Sequence, residues 1–160
     1  MDKDALRIPT TMQRADLWVD PGQCVSGSIF LHLETRRHAG QERPEDVLNE
    51  PEPFLVFRTD PPNELRLYCK RRITLMQYLD EQPSNEMAGR TILGCRLLLA
   101  DGVMVAGSIR EFLPPERPRL FDYLNNCSES FIRLHLEAGM VGLINKEHII
   151  YASAVRDAFV

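Results

Sequence analysis

Four histidines (His32, His38, His135, His148) and four cysteines (Cys24, Cys69, Cys95, Cys127) are the residues of this chain best suited to metal or nucleophile chemistry. A structural zinc site draws on closely spaced cysteines, and a helical zinc site on histidines one turn apart. Here no cysteine pair forms C-x-x-C and no two histidines stand at i, i+4. A thiol nucleophile needs a base within hydrogen-bond reach. His32 and His135 fall on expected strands, so an enzyme would show itself by bringing them and a cysteine into one cleft. The segment MAGRTILG lacks the Lys-Ser/Thr pair with which a phosphate-cradling loop ends. The sequence therefore predicts no catalytic set, no metal and no cofactor. The cysteines read as small buried apolar groups.

The remaining candidates are basic. Arg36 and Arg37 precede His38, and Lys70-Arg71-Arg72 follows Arg66. Arg36, Arg37, Arg66, Lys70, Arg71 and Arg72 could give one face a positive patch for an acidic protein partner or an RNA backbone. The balance of the chain weighs against RNA. It carries 19 Lys+Arg against 23 Asp+Glu, a net charge of −4, and a dedicated nucleic-acid binder usually carries a basic surplus.

The elements that must position these residues are written twice. Val25-Ser26-Gly27-Ser28-Ile29 is answered by Val105-Ala106-Gly107-Ser108-Ile109, and Asp46-Val47-Leu48-Asn49 by Asp122-Tyr123-Leu124-Asn125. Phe54-Leu55 then meets Phe131-Ile132, Leu65–Lys70 meets Val141–Lys146, and Ile73 meets Ile149. Apolar positions stay in phase while a charged loop near residue 40 absorbs the length difference. That is the pattern of a diverged duplication. The copies span 10–77 and 91–155, with the breaker-rich stretch 78–90 as a linker.

Within each copy, extended runs flank a turn glycine, Gly22 or Gly102, which supplies positive φ to a hairpin. Gly27 and Gly107 sit inside the second strand, where glycine marks a sharp bend or close approach. Pro44, Glu45 and Asp46 suit the first turn of a short helix. Asn49 and Asn125 are expected to end that helix in the left-handed conformation. Three more strands follow, giving β-β-α-β-β-β in each copy. Trp18, Phe30, Phe54, Phe57, Phe112 and Phe131 are expected to supply much of the core or of a face shared by the copies.

LLLADGVMVAGSI with the later LINKEHIIYASA resembles the two signature segments of Sm-like barrels. That resemblance implies small five-stranded barrels and, in RNA-binding members, an Asp and an Asn such as Asp122 and Asn125 near the ligand. Arg119-Leu120, Asp122, Leu124-Asn125, Phe131, Leu134, Ile144-Asn145-Lys146 and Ile149 are also similar to a bacterial domain known only as being of unknown function. Copy one departs from that pattern at Pro44 and Cys69.

The expected fold class is mainly β: two tandem small SH3/Sm-like barrels, each β-β-α(short)-β-β-β. The expected function is a non-catalytic protein-interaction or adaptor module of the bacterial cytoplasm, with homo-oligomerisation through open strand edges. The alternatives are an Sm-like RNA binder and a small-molecule or nucleotide sensor. MDKDALRIPTT has no apolar stretch for a secretory leader, no run approaches the ~20 apolar residues of a membrane span, and the unpaired cysteines suit a reducing compartment.

Overall fold

In a computed structural model the described residues are 10–35, 38, 40–81, 89–116 and 119–155. They form ten strands and two short α-helices. The first half holds β1 (Thr10–Val19), β2 (Gln23–His32), α1 (Pro44–Asn49), β3 (Phe54–Thr59), β4 (Leu65–Cys69) and β5 (Ile73–Leu79). The second half holds β6 (Thr91–Leu99), β7 (Met104–Glu111), α2 (Leu120–Asn126), β8 (Phe131–His135), β9 (Met140–Asn145) and β10 (Ile149–Ala154). A 3-10 turn precedes β5 (Lys70–Arg72) and another precedes β10 (Lys146–His148). The expected linker begins inside β5, and residues 82–88 lie outside the described residues. Among the described residues no helix is long and apolar enough to cross a membrane.

The hairpin turns form as their glycines require. Gly22 has φ +101° and donates to Val19 O at 2.8 Å; Gly102 has φ +88° and donates to Leu99 O at 2.9 Å. Only glycine adopts that backbone without strain. Gly27 and Gly107 have matching surroundings. A Cβ on Gly27 would collide with Arg58 O and the Phe57 ring, and one on Gly107 with His135 O and Leu134. Close approach of the next strand, rather than positive φ, demands glycine at both.

In α1, Pro44 stands at the first helical position, and the Asp46 carboxylate accepts from the Arg43 amide at 2.8 Å. Leu48 is buried beneath the helix. The expected left-handed ending is absent. The residues after the helices, Glu50 and Cys127, have φ −65° and −68°, and neither Asn49 nor Asn125 has positive φ. The Asn49 side chain serves the other half instead, as described below.

Each half orders its strands alike, fifth-first-second-third-fourth. The halves join through β5 and β9, giving the sheet order β10-β6-β7-β8-β9-β5-β1-β2-β3-β4. Of the expected two tandem small barrels packed against each other, the mainly β character is met: the ten antiparallel strands share one continuous sheet that does not close. The joining strands are buried on both faces, which lets one sheet serve two cores. Met76 and Tyr78 of β5 and Val141 and Leu143 of β9 enter a core with Leu17, Ile29, Leu55 and Phe57. Leu75 and Ile144 point the other way, into a core with Cys95, Leu97, Ile109 and Leu134.

The aromatic expectation holds in part. Phe57 and Phe131 are buried, while Trp18 and Phe30 are half-buried. Phe54 and Phe112 are exposed, which corrects the expected core. In β3 the burial alternates, so Leu55 and Phe57 face inward and Phe54 and Val56 outward.

Candidate interaction edges and the polar junction

The two ends of the sheet are unlike the strands between them. Among the described residues β4 is paired only with β3, and β10 only with β6. Among the described residues each therefore leaves a row of backbone donors and acceptors with no neighbouring strand, a template for another strand. The β4 edge carries exposed Leu65 and Leu67 beside exposed Phe54 and Val56 of β3. The β10 edge carries exposed Ile150 and Tyr151.

Between the halves lies a partly buried polar network. Arg133 of β8 donates to Glu45 of α1 at 2.6 Å and to Asp80, just after β5, at 2.7 Å. The Tyr78 hydroxyl donates to the other oxygen of Glu45 at 2.9 Å. Burial, then the Glu45 charge, pushes the Tyr78 hydroxyl well above its ordinary value, so it keeps its proton and acts as a donor. A cavity of about 140 Å³ opens beside this network, lined by Glu45, Asn49, Glu111, Glu129 and Arg133 among others. Burial raises the Glu111 carboxyl. Asn49 closes the junction from α1: its amide donates to Phe131 O at 3.2 Å and its oxygen accepts from Phe131 N at 2.9 Å.

The groups suited to catalysis are not drawn together. His32 lies against Glu42 at 3.0 Å in the first half, and His38 against Asp46 at 2.6 Å. His135 stands on β8, opposite Ser108 of β7 in the second half. Burial, then the charges of Arg133 and Arg110, pulls its pKa down to about 4, leaving a neutral ring at neutral pH. His148 donates to Arg71 O across the halves at 2.6 Å. Burial pushes the Cys95 thiol up to about 11 and also raises Cys24, the reverse of what an attacking thiolate needs. Among the described residues no group of three or more His, Cys, Asp or Glu could hold a metal ion.

The basic candidates divide. Arg36 and Arg37 lie outside the described residues. Arg66 is held by Glu64 and the Tyr68 hydroxyl, and Arg72 meets Asp20 at 3.2 Å. Arg71 is exposed, with Glu147 at 3.9 Å. Lys70 turns inward: it is 7% exposed, and its Nζ donates to Val47 O at 2.7 Å and Glu50 O at 3.2 Å, capping the C-terminus of α1. Among the described members, Lys70 is thus turned away from solvent while Arg71 and Arg72 stand at the surface. Sequence reasoning missed the edges' apolar rows and the Arg133 network. The signal for the first was present, since LRLYC and IIYASA are as apolar as the buried strands they match. Comparison of the chain with family models, with curated proteins and with solved structures finds no match in any of the three.

Proposed function

We propose that the chain is a non-catalytic interaction module made of two small barrel-like units of SH3/Sm-like type, duplicated in tandem, which binds protein through its free strand edges. The observation that carries this reading is the β4 edge, where unpaired backbone runs beside exposed Leu65, Leu67, Phe54 and Val56. Strand addition takes affinity from main-chain hydrogen bonds and specificity from alternate side chains. The fifth-first-second-third-fourth strand order of both halves supports the barrel-like description. The RNA-binding alternative finds less support, since Arg66 and Arg72 have acidic partners and Lys70 is buried.

The test is selection of extended peptides from a displayed library on protein immobilised sparsely enough that copies cannot meet. The expected result is enrichment of alternating apolar sequences whose binding is lost in Leu67→Lys. Failure to enrich, or binding indifferent to Leu67→Lys, overturns the proposal.

A further inference from the structure

The strand pair that joins the halves also specifies what the two sheet ends would accept. β5 is the last strand of the first half and β9 the fourth strand of the second. Their counterparts are β10 and β4, the strands left at the ends. The halves align without ambiguity here, because Phe131 faces Asn145 across β8 and β9 as Phe54 faces Cys69 across β3 and β4. The same irregularity recurs, too: the ladder shifts between Trp18 and Val19 where β1 meets β5, and between Ile149 and Tyr151 where β10 meets β6.

Residues buried at the junction have apolar counterparts exposed at the ends. Phe131 is 3% exposed and its counterpart Phe54 54%; Leu143 is 0% and Leu67 66%; Leu75 is 0% and Tyr151 47%. Val141 and Leu65 differ in the same way. The first core is completed by Phe131, Val141 and Leu143 lent by the other half. The second core takes Leu75 and part of Trp18 from the first half, while the residues matching Phe131, Val141 and Leu143, namely Phe54, Leu65 and Leu67, stand exposed at the far end of the sheet.

Two further correspondences lie outside the strand pair. Asn49 of α1 clasps the backbone of Phe131, whereas its counterpart Asn125 is exposed and its amide donates to Phe121 O within its own helix. The partly buried pair Glu45–Arg133 corresponds to Phe121 and Val56, both exposed. A charge pair on one side of the comparison is an apolar pair on the other, so complementarity is kept while the residue types change.

We infer that the occupant of the free edges is a second copy of this chain: β10 of one molecule pairs antiparallel with β4 of the next, repeating the internal junction. Transferring the β5–β9 register sets Tyr151 opposite Tyr68, Ala152 opposite Leu67, Ser153 opposite Arg66 and Ala154 opposite Leu65. Phe54, Leu65 and Leu67 then pack against the second core as Phe131, Val141 and Leu143 pack into the first, and Asn125 reaches the backbone of Phe54. The interface is head-to-tail, since each molecule offers one edge of each kind. It closes into a ring if the rotation per junction divides a full turn and otherwise propagates. One contact is lost in the transfer: Asn145 donates to Ile73 O at 3.0 Å, and its counterpart is Cys69. The intermolecular junction is accordingly the weaker of the two. This inference names the partner of the edges proposed above and rests on that reading.

The test is native mass spectrometry and light scattering on the full chain across a concentration series. Wild type forms concentration-dependent oligomers. Leu67→Lys and Tyr151→Lys are each monomeric, but mixed in equal amounts they form a heterodimer, because each retains the edge the other lacks; that recovery also shows both variants fold. Cys69→Asn tightens assembly by about tenfold. With Cys24, Cys69 and Cys127, the cysteines that are not fully buried, replaced by serine, Leu67→Cys in one molecule and Ala152→Cys in another become joined by a disulfide. A wild type that stays monomeric, or a mixture that yields no dimer, overturns the second copy as occupant. If that monomer still captures displayed peptides at β4, the interaction-module reading survives by itself.

Discussion

The side-chain amide of Asn49 and the backbone of Phe131, 82 residues apart, exchange two hydrogen bonds, at 2.9 and 3.2 Å. The contact has the form of one step of a β-ladder, supplied by a side chain at the end of α1. It satisfies the first residue of β8, and it ties the first half's helix to the second half's strand. Asn49→Ala leaves the buried first residue of β8 without these two bonds, which costs about 1–3 kcal/mol. Asn49→Asp keeps the acceptor and loses the donor, so it should fall between. Urea denaturation of both variants checks this, and the counterpart Asn125→Ala, at an exposed site, should change the midpoint little in the monomer.

A second prediction concerns Arg133. Its guanidinium holds Glu45 and Asp80 in a setting mostly removed from water, with the side chain 19% exposed. Arg133→Met takes the guanidinium away from two carboxylates there, at a cost of about 3–5 kcal/mol. Replacing all three together, Arg133→Met with Glu45→Gln and Asp80→Asn, removes the two negative charges along with the positive one and should recover most of that loss. Thermal unfolding of the single and triple variants decides it: a triple variant no better than the single one would show that packing, and not charge compensation, sets the cost.

Much of this architecture is legible locally, and the rest fails for one physical reason. Gly22 and Gly102 mark their turns, FLVFRT alternates as a half-buried strand, and Pro44-Glu45-Asp46 begins a helix. These are contests decided within a few residues. Phe54 and Phe131 open matching strands, yet one is exposed and the other buried. Their local patterns are the same, and the difference lies in whether another half covers them. The Arg133 network is hidden for the same cause, since Glu45, Tyr78, Asp80 and Arg133 meet only through the β5–β9 pairing. Asn49 has the residue type of a helix stop, and its long-range partner, the backbone of Phe131, carries no sequence mark.

The two interior glycines should respond alike. In Gly27→Ala the new methyl meets Arg58 O and the Phe57 ring, and in Gly107→Ala it meets His135 O and Leu134. Backbone cannot step aside as a flexible side-chain tip can, so each variant should lose about 1–3 kcal/mol or more. Equilibrium denaturation of both should give losses of similar size. A tolerated alanine at either position would show that the strands there can separate.

His135 should impose a pH dependence on stability. Its folded pKa is depressed to about 4 from an ordinary 6.5, first by burial and then by Arg133 and Arg110. Between those values the unfolded chain binds the proton and the folded one resists it. The stabilising contribution is therefore complete above pH 6.5 and is lost as the pH falls toward 4. Glu111, raised by burial, acts in the opposite sense and offsets part of the loss near its own titration. His135→Gln should flatten the profile of unfolding midpoint against pH between 6.5 and 4, and an unchanged slope would assign the dependence elsewhere.

The basic run at 70–72 should separate into structural and surface residues. Lys70 donates to the last carbonyls of α1 from a buried position, so Lys70→Met leaves those carbonyls without that donor and should cost about 1–3 kcal/mol. Arg71 and Arg72 are exposed, with carboxylates at 3.9 and 3.2 Å, and exposed pairs of this kind contribute roughly 0–1 kcal/mol. Arg71→Ala and Arg72→Ala should therefore leave the urea midpoint nearly unchanged. The same two variants report on the surface: if an acidic partner uses this run, binding falls in them while stability does not. In Lys70→Met the loss would instead appear in the folded state of α1, read as faster amide exchange at Val47 and Glu50.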